Sequence, residues 1–284
     1  MKVTVLVDNN TLIDRYYLGE PGLSFFIETE GKKILFDVGY SDVFLRNAYL
    51  KGISLEDLDY VVISHAHLDH TWGFDALIKV FTELRFEKRE HKKPTLIAHP
   101  EIFLSRAYDN GEEFGMLTGQ EMLGRYFDLR LTKEPLQITK NLFFLGEIPR
   151  LNDFEAKKAI GKILVAGDWQ EDFILDDSAL AYRSQDGLVI LTGCSHAGIC
   201  NIIEHAREVC KENRVLDVVG GFHLQQPTES HLEGTRQYFA RLQPSTLHAC
   251  HCTDLQSKIA LSSVAAVKEV GSGMELKYPD TVEQ

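Results

Sequence analysis

The chain has 284 residues, with 42 acidic against 30 basic side chains, a formal charge of −12 and 44% hydrophobic residues. This length suits one large domain, or a domain with an insertion, around a sizeable core. The negative charge excludes broad, sequence-independent binding to nucleic acid, which needs a basic surface. No apolar run reaches the length of a membrane span, and the first residues predict a strand and not a signal peptide. We therefore expect a cytoplasmic protein.

The first hundred residues predict strands interleaved with helices. Apolar and β-branched runs indicate strands, and apolar residues at helical spacing indicate helices. The predicted strands are residues 2–8, 23–28, 32–37, 60–63 and 95–98, and the predicted helices are residues 41–51 and 74–86. Glu30-Gly31 lies between the second and third strands, so we expect those two strands to form a hairpin.

Four potential metal ligands follow the strand at 60–63 within six positions. They are His65, His67, Asp69 and His70, in the stretch Ser-His-Ala-His-Leu-Asp-His. His65 and His67 are two residues apart, so in extended geometry they project from the same face of the chain. Imidazole and carboxylate ligands without thiolate suit Zn, Fe, Mn or Ni better than a closed structural cysteine site. The cluster therefore predicts a metal site at the end of a strand.

A strand followed by His-X-His-X-Asp-His and then a helix resembles the signature of the metallo-β-lactamase superfamily. The resemblance implies an α/β fold, an αββα sandwich of two mixed sheets with one or two metals at their shared edge. It also implies that Asp69 holds the second metal and orients the nucleophile. An Asp at the position of Asp37 commonly supports the ligand loop through hydrogen bonds in this superfamily, although a turn Asp before Gly39 is an alternative explanation.

Residues 100–175 predict little regular structure beyond short strands at 136–138 and 142–145. The superfamily usually carries its substrate-determining insertion at this point, so the resemblance implies a cap over the site. Within it, Gly-Glu-Ile-Pro-Arg at 146–150 is either a hinge or a place where Glu147 or Arg150 faces the substrate. His99 lies at a strand end, but superfamily members often have a His-Pro here that binds no metal.

The second half of the chain predicts strands at 173–182 and 188–192 around the hairpin turn Gln-Asp-Gly, then a helix at 199–212. Between the strand at 188–192 and this helix lies Gly-Cys-Ser-His-Ala-Gly, which resembles the second metal-binding loop of the superfamily. Most members have an Asp where this chain has Cys194. Either the Cys194 thiolate is a ligand, or His196 replaces the missing carboxylate. We favour His196, because imidazole continues the chemistry of the first cluster and a free Cys is often merely buried.

Two more histidines follow predicted strands near the end of the chain. His251 follows the strand that begins at Thr246, and it matches the last metal ligand of the superfamily. His223 follows the strand at 216–219 in a glycine-rich loop, which suits contact with a substrate oxygen. Many members place a ligand His upstream where this chain has Asp176 and Asp177. One of these carboxylates either ligates a metal or orients His67 or His70.

The five cysteines are odd in number and lack a disulfide-scaffold spacing, so we expect them to be reduced. Cys250 and Cys252 flank His251 and should face away from it, which disfavours a Cys–His–Cys knuckle.

Within the superfamily, the chain resembles a subgroup that contains archaeal synthases of methanopterin biosynthesis and bacterial relatives assigned only as metal-dependent hydrolases. The resemblance implies a metal-dependent hydrolase of an ester or phosphoester. The alternative is a transferase that joins a dihydropterin methyl group to a ribofuranosylaminobenzene phosphate. We expect two divalent transition-metal ions, zinc first and iron, manganese or nickel as alternatives. We also expect a small anionic substrate, with Glu147 and His223 in contact with it. A non-catalytic binding protein or a diiron redox protein is disfavoured, and the sequence predicts no oligomeric state.

Overall fold

The structure is a computed structural model that describes residues 1–279. In chain order its strands are β1 (Lys2–Val7), β2 (Ser24–Thr29), β3 (Lys32–Phe36), β4 (Tyr60–Val62), β5 (Thr95–Ala98), β6 (Arg106–Ala107), β7 (Asp128–Leu131), β8 (Leu136–Gln137), β9 (Leu142–Phe144), β10 (Lys162–Val165), β11 (Asp168–Glu171), β12 (Ala179–Ser184), β13 (Gly187–Thr192), β14 (Val215–Gly221), β15 (Thr246–Cys250) and β16 (Glu275–Lys277). Its α-helices are α1 (Val43–Leu50), α2 (Leu68–Thr71), α3 (Phe74–Phe86), α4 (Gln120–Tyr126), α5 (Ile199–Cys210), α6 (Glu229–Leu242) and α7 (Leu255–Ser262). Within residues 1–279, none of these helices is both long and apolar enough to cross a membrane.

Two mixed sheets make up the centre of the molecule. The first has the order β16-β1-β2-β3-β4-β5-β7, and its strands from β3 to β7 are parallel. The second has the order β15-β14-β13-β12-β9-β8, with β13, β14 and β15 parallel. Parallel strands end at the same edge of a sheet, so the loops that follow β4, β13 and β15 can meet there.

The two sheets pack face to face, and helices cover their outer faces. One buried apolar cluster contains Phe25 and Val62 of the first sheet together with Tyr182 and Val219 of the second. A second cluster joins the first sheet to α1, α3 and α4, and a third joins the second sheet to α5, α6 and α7. These layers are the αββα sandwich that the resemblance implies.

Helix α3 illustrates why the outer layers form. Its buried residues Phe74, Leu77, Phe81 and Leu84 recur every three or four positions and form one apolar stripe. Burying a large apolar side chain contributes about 1.5–3 kcal/mol, so this stripe fixes the helix against the sheet. The predicted bounds of α3 and β5 agree with the structure.

Residues 100–175 divide between the main sheets and a small third sheet. Strand β7 pairs with β5 at the edge of the first sheet, and β8 and β9 extend the second. The remaining strands form a separate sheet in the order β11-β10-β6. Only part of the range therefore lies outside the sandwich, and its interpretation as a cap insertion stays a prediction.

The predicted strand at 173–182 is wrong in its first half. The chain turns between Ile174 and Asp177, whose backbone N–H donates to the Ile174 carbonyl, and Ile174 has a φ of 51°. The extended run begins only at Ala179. The carboxylates of Asp172, Asp176 and Asp177 accept hydrogen bonds from Arg106, Ala66 and Ala197, respectively. These bonds stabilise a turn here, although the apolar residues of this segment are typical of a strand.

Candidate metal centre

The first ligand loop leaves β4 at Val62 and turns directly into the short helix α2. His65 and His67 precede this helix, while Asp69 and His70 lie in its first turn. The rings of His65 and His67 have centroids 4.5 Å apart, and those of His65 and His70 are 4.3 Å apart. The structure thus brings the whole predicted cluster together, with all three imidazoles buried.

The loops after β13 and β15 complete the cluster from the second sheet. Cys194 and His196 lie between β13 and α5, and Gly193 packs so closely against Ser64 that a Cβ would overlap the serine hydroxyl. His251 follows β15 in a left-handed conformation with a φ of 51°. Its Nδ1 lies 2.9 Å from Oδ1 of Asn9, and its backbone N–H donates to Asp8 at 2.9 Å.

The potential ligand atoms form two adjacent groups that share Cys194. The first group contains His65, Cys194 and His196, and the second contains Asp69, His70, Cys194 and His251, with all ligand atoms of each group within 4.8 Å of one another. Nε2 of His65 and Nε2 of His196 are 3.2 Å apart. Sγ of Cys194 lies 3.2 Å from Nε2 of His70 and also 3.2 Å from Nε2 of His251.

His67 is placed beside the first group. Its ring centroid is 4.5 Å from that of His65 and 4.5 Å from that of His196. Its Nε2 is buried and has no hydrogen-bond partner among the described residues. A buried polar atom without a partner costs roughly 1–3 kcal/mol, and a metal ion would use its lone pair. The imidazole, thiol and carboxyl donors here fit a divalent transition metal.

Burial and mutual proximity set the protonation of these side chains. Burial and the neighbouring imidazoles hold the pKa of His65 and that of His196 well below the usual value, and burial lowers the pKa of His67 to about 3. Burial alone would lower the pKa of His70, but the carboxylates of Asp69 and Asp37 outweigh it and raise that pKa to about 9. The first group therefore presents neutral imidazoles with free lone pairs, which is the form that binds metal.

Burial also raises the pKa of the Cys194 thiol, so without a nearby cation this side chain keeps its proton. A coordinating metal ion deprotonates a thiol outright.

The Asp37 carboxylate holds the first ligand loop in place through hydrogen bonds. Its Oδ2 lies 2.7 Å from Nδ1 of His70 and accepts the Ser64 hydroxyl at 2.7 Å, while its Oδ1 accepts the Ser64 backbone N–H. The Ser64 hydroxyl is in turn 2.9 Å from Nδ1 of His65. These hydrogen bonds confirm the predicted support by Asp37. Because Nδ1 of His70 faces Asp37, its Nε2 is the ring nitrogen that points toward the other ligand atoms of the second group.

We expect Asp37→Asn to weaken metal binding by roughly 10–100-fold, the usual effect of losing a carboxylate that orients a ligand imidazole. Competition with a chromogenic chelator measures the affinity. Asp57→Asn is the control, since Asp57 is half exposed and pairs with Lys33 on the surface. Unchanged affinity in Asp37→Asn would contradict the orienting role.

Asp176 and Asp177 hold the backbone of the ligand loops and belong to neither ligand group. Oδ2 of Asp176 accepts the backbone N–H of Ala66 at 2.9 Å, between His65 and His67. Oδ2 of Asp177 accepts the backbone N–H of Ala197 at 2.8 Å, next to His196. The hydrogen bond of Asp176 to Ala66 agrees with the alternative in which a carboxylate orients His67 from outside the ligand groups. The two neighbouring carboxylates tie the two loops to one turn.

Arg106 was not singled out from the sequence, yet it connects this turn to the small third sheet. It is completely buried on β6, and its guanidinium donates to Asp172 at 2.8 Å and to Asp176 at 2.7 Å. An Arg in a stretch with little regular pattern gives no sequence signal of burial, because Arg is almost never fully buried unless it is paired.

A cavity of about 720 Å³ opens next to the metal ligands. Its lining residues are Asn9, Pro21, Tyr40, His67, Leu68, Asp69, Tyr108, Ile160, Cys194, His196, His223, Gln225, His251 and Cys252. His223 belongs to neither ligand group, and its ring centroid is 4.3 Å from that of His196. The structure therefore places His223 where a molecule bound in the cavity would meet it.

Two sequence predictions differ from the geometry around this cavity. Cys252 does not face away from the site, because the left-handed turn at His251 ends the strand alternation, and its Sγ accepts the His223 backbone N–H. Glu147 does not line the cavity and pairs instead with Lys133 and His99, both at 3.1 Å. His99 accepts the backbone N–H of Glu101 and is in neither ligand group.

The fold and this site place the protein among known metalloenzymes. The sequence profile of the metallo-beta-lactamase superfamily matches residues 18–200, and the chain belongs to that superfamily. Membership implies divalent metal ions at the cluster.

Three similar proteins extend the comparison over nearly the whole chain. The chain is 30% identical to the 7,8-dihydropterin-6-methyl-4-(beta-D-ribofuranosyl)-aminobenzene-5'-phosphate synthase of Methanocaldococcus jannaschii, over 91% of this chain and 89% of the synthase. It is 28% identical to Tm1679, a metal-dependent hydrolase of the beta-lactamase superfamily, with a TM-score of 0.83 over 99% of this chain and 100% of that structure. A diphosphatase from the PhnP family, at 15% identity and a TM-score of 0.51 over 97% and 96% of the two chains, shares the fold alone.

Proposed function

We propose that the protein is a binuclear metal-dependent hydrolase of an ester or phosphoester. His65, His67 and His196 would hold one ion, and Asp69, His70 and His251 would hold the other. The Cys194 thiolate is within reach of both groups. The observation that carries this proposal is the shared position of Cys194, whose Sγ belongs to both ligand groups. Zinc is the metal that we propose, because it accepts imidazole, thiolate and carboxylate ligands together.

Bound metal ions supply Lewis acidity, which polarises the scissile bond and acidifies water at the site. The chain's own residues orient the reactants. The Asp69 side chain is 25% exposed and lines the cavity, and its Oδ2 lies 3.3 Å from Nε2 of His251. From this position Asp69 can orient an attacking water toward a substrate in the cavity. His223 would donate to or accept from a substrate oxygen.

A transferase is the second candidate, and the similarity to the synthase over most of both chains favours it. In that reaction the hydroxymethyl carbon of a dihydropterin forms a bond to the aminobenzene portion of a riboside phosphate. The carbon–oxygen bond of the donor breaks, the oxygen leaves as water or with its phosphate, and the aminobenzene portion loses a proton. The same cavity would exclude water from the carbon that reacts. We also propose a reducing compartment such as the cytoplasm, because all five cysteines are free. No substrate role is proposed for Glu147.

Solvent-oxygen incorporation separates the two candidates. We expect metal-loaded protein in ¹⁸O-labelled water to release labelled product from activated esters or phosphodiesters supplied singly. A transferase would be silent with each single substrate. It would require both a 6-hydroxymethyl dihydropterin, free or phosphorylated, and a ribofuranosylaminobenzene phosphate, and its product would carry no label. Label incorporation that persists in Asp69→Ala at the wild-type rate would contradict the proposed role of Asp69.

A further inference from the structure

Two of the five cysteines meet at the metal cavity. Cys194 follows β13 and Cys252 follows β15, and both side chains line the cavity. The Cys252 thiol lies 3.4 Å from the carbonyl oxygen of Cys194 and donates to it. The two thiols are also hydrogen-bond partners of each other. Residues 58 positions apart in the chain thus bring two thiols together in one cavity.

A glycine and a bend in the chain allow this approach. Gly221 ends β14, which lies between β13 and β15 in the second sheet. Strands on either side of a third strand are roughly 10 Å apart, whereas a disulfide needs Cα atoms within about 7 Å. The left-handed turn at His251 bends the chain over Gly221. A Cβ on Gly221 would lie 2.5 Å from Sγ of Cys252 and 3.3 Å from Cα of Cys194, so the Cys252 sulfur occupies the space of an absent side chain.

The other three cysteines are placed differently. Cys200 and Cys210 lie near opposite ends of α5, and Cys250 belongs to the apolar cluster between the two sheets. All three are at most 2% exposed, whereas Cys252 is partly exposed. A small oxidant that enters the cavity therefore reaches Cys252 and its neighbour Cys194 before it reaches the others, because the reactivity of a thiol depends on its exposure.

We propose that Cys194 and Cys252 form a site of oxidative modification, at which a peroxide converts the two thiols into a disulfide and removes the Cys194 sulfur from both ligand groups. A sulfur in a disulfide has no thiolate charge to offer a metal ion, so each group loses a ligand. The inference rests on the metal centre of the proposed function and adds a chemical signal that controls it. A small reducing thiol would reverse the change by thiol–disulfide exchange.

The modification consumes one hydrogen peroxide for each disulfide. The Cys252 sulfur attacks a peroxide oxygen, the O–O bond breaks, one water leaves, and Cys252 becomes a sulfenic acid. The Cys194 sulfur then attacks the Cys252 sulfur, so that an S–S bond forms, the S–O bond breaks and a second water leaves. The two thiol protons end in the water molecules. The sulfurs lose two electrons in total, and the peroxide gains them.

The experiment adds equimolar hydrogen peroxide to the metal-loaded protein and follows the intact mass, the free thiols after denaturation, and metal affinity by chelator competition. We expect the mass to fall by two hydrogens, two of the five free thiols to disappear, and the metal affinity to fall at least about tenfold. Dithiothreitol followed by fresh metal should restore all three. Cys252→Ser should bind metal as the wild type does, because Cys252 belongs to neither ligand group, and its mass should not fall by two hydrogens.

Cys250→Ala is the matched control, since Cys250 is two residues from Cys252 but is completely buried between the sheets. This variant should form the disulfide as the wild type does. Addition of oxygen to the wild type without the loss of two hydrogens would overturn the proposal, and so would a disulfide that still forms in Cys252→Ser. A disulfide that forms while the metal affinity stays unchanged would support the modification site and refute the role of Cys194 in the proposed metal centre.

Discussion

Cys194→Ala is expected to weaken binding at both metal positions by at least about tenfold and to remove nearly all turnover. The reason is that one sulfur atom belongs to both ligand groups, whereas loss of a group that merely orients a ligand already costs roughly 10–100-fold. Metal equivalents after dialysis, followed by chelator competition, measure the effect. Cys194→Asp should retain two equivalents, because a carboxylate offers oxygen ligands at the position of the sulfur.

Cobalt substitution and a neighbouring cysteine provide the controls for this prediction. A thiolate bound to cobalt(II) gives a charge-transfer absorption, which we expect in the wild type and not in Cys194→Asp. Cys252→Ala should keep both the metal and the absorption, since Cys252 lines the same cavity but belongs to neither ligand group. If the absorption disappeared in Cys252→Ala and persisted in Cys194→Asp, the thiolate ligand would have been assigned to the wrong cysteine.

Arg106→Leu is expected to destabilise the folded protein by about 3–5 kcal/mol, a large part of the 5–15 kcal/mol that a typical domain possesses. The substitution leaves the carboxylates of Asp172 and Asp176 buried without the guanidinium that pairs with them. Urea unfolding of the metal-loaded protein measures the loss.

Arg125→Leu is the matched control for Arg106→Leu. Arg125 forms an exposed pair with Glu121 on α4, and such pairs contribute about 0–1 kcal/mol. Equal losses of unfolding free energy in the two variants would show that the buried ion pairs of Arg106 contribute no more to stability than an exposed pair.

The sandwich and the first ligand loop could be predicted because the sequence patterns that indicate them involve residues close together in the chain. Strand and helix periods depend on neighbouring residues, and His65 to His70 lie within one turn of chain. The sandwich was implied by a resemblance that rested on this same local motif, and the structure and the superfamily profile confirm it.

The support of the site could not be predicted, because its partners are distant in sequence. Asp176 meets Ala66 across 110 positions, and Arg106 meets Asp176 across 70. No period or spacing encodes such a pair. From the sequence, His196 was favoured over Cys194 as the metal ligand on chemical grounds. The fold brings both side chains to the same cluster.

The network around Arg106 also decides how a substrate can enter. To lift the small third sheet away from the ligand loop, the molecule would have to separate Arg106 from Asp176, both of which are buried. Such a separation would remove from both charged groups the partner that compensates their burial, so opening of this kind is energetically unfavourable. Entry or release of a ligand by movement of the small third sheet would therefore be rare. We therefore expect ligands to pass through the existing mouth of the cavity, and we expect product release to be insensitive to changes in solvent viscosity that slow large hinge motions.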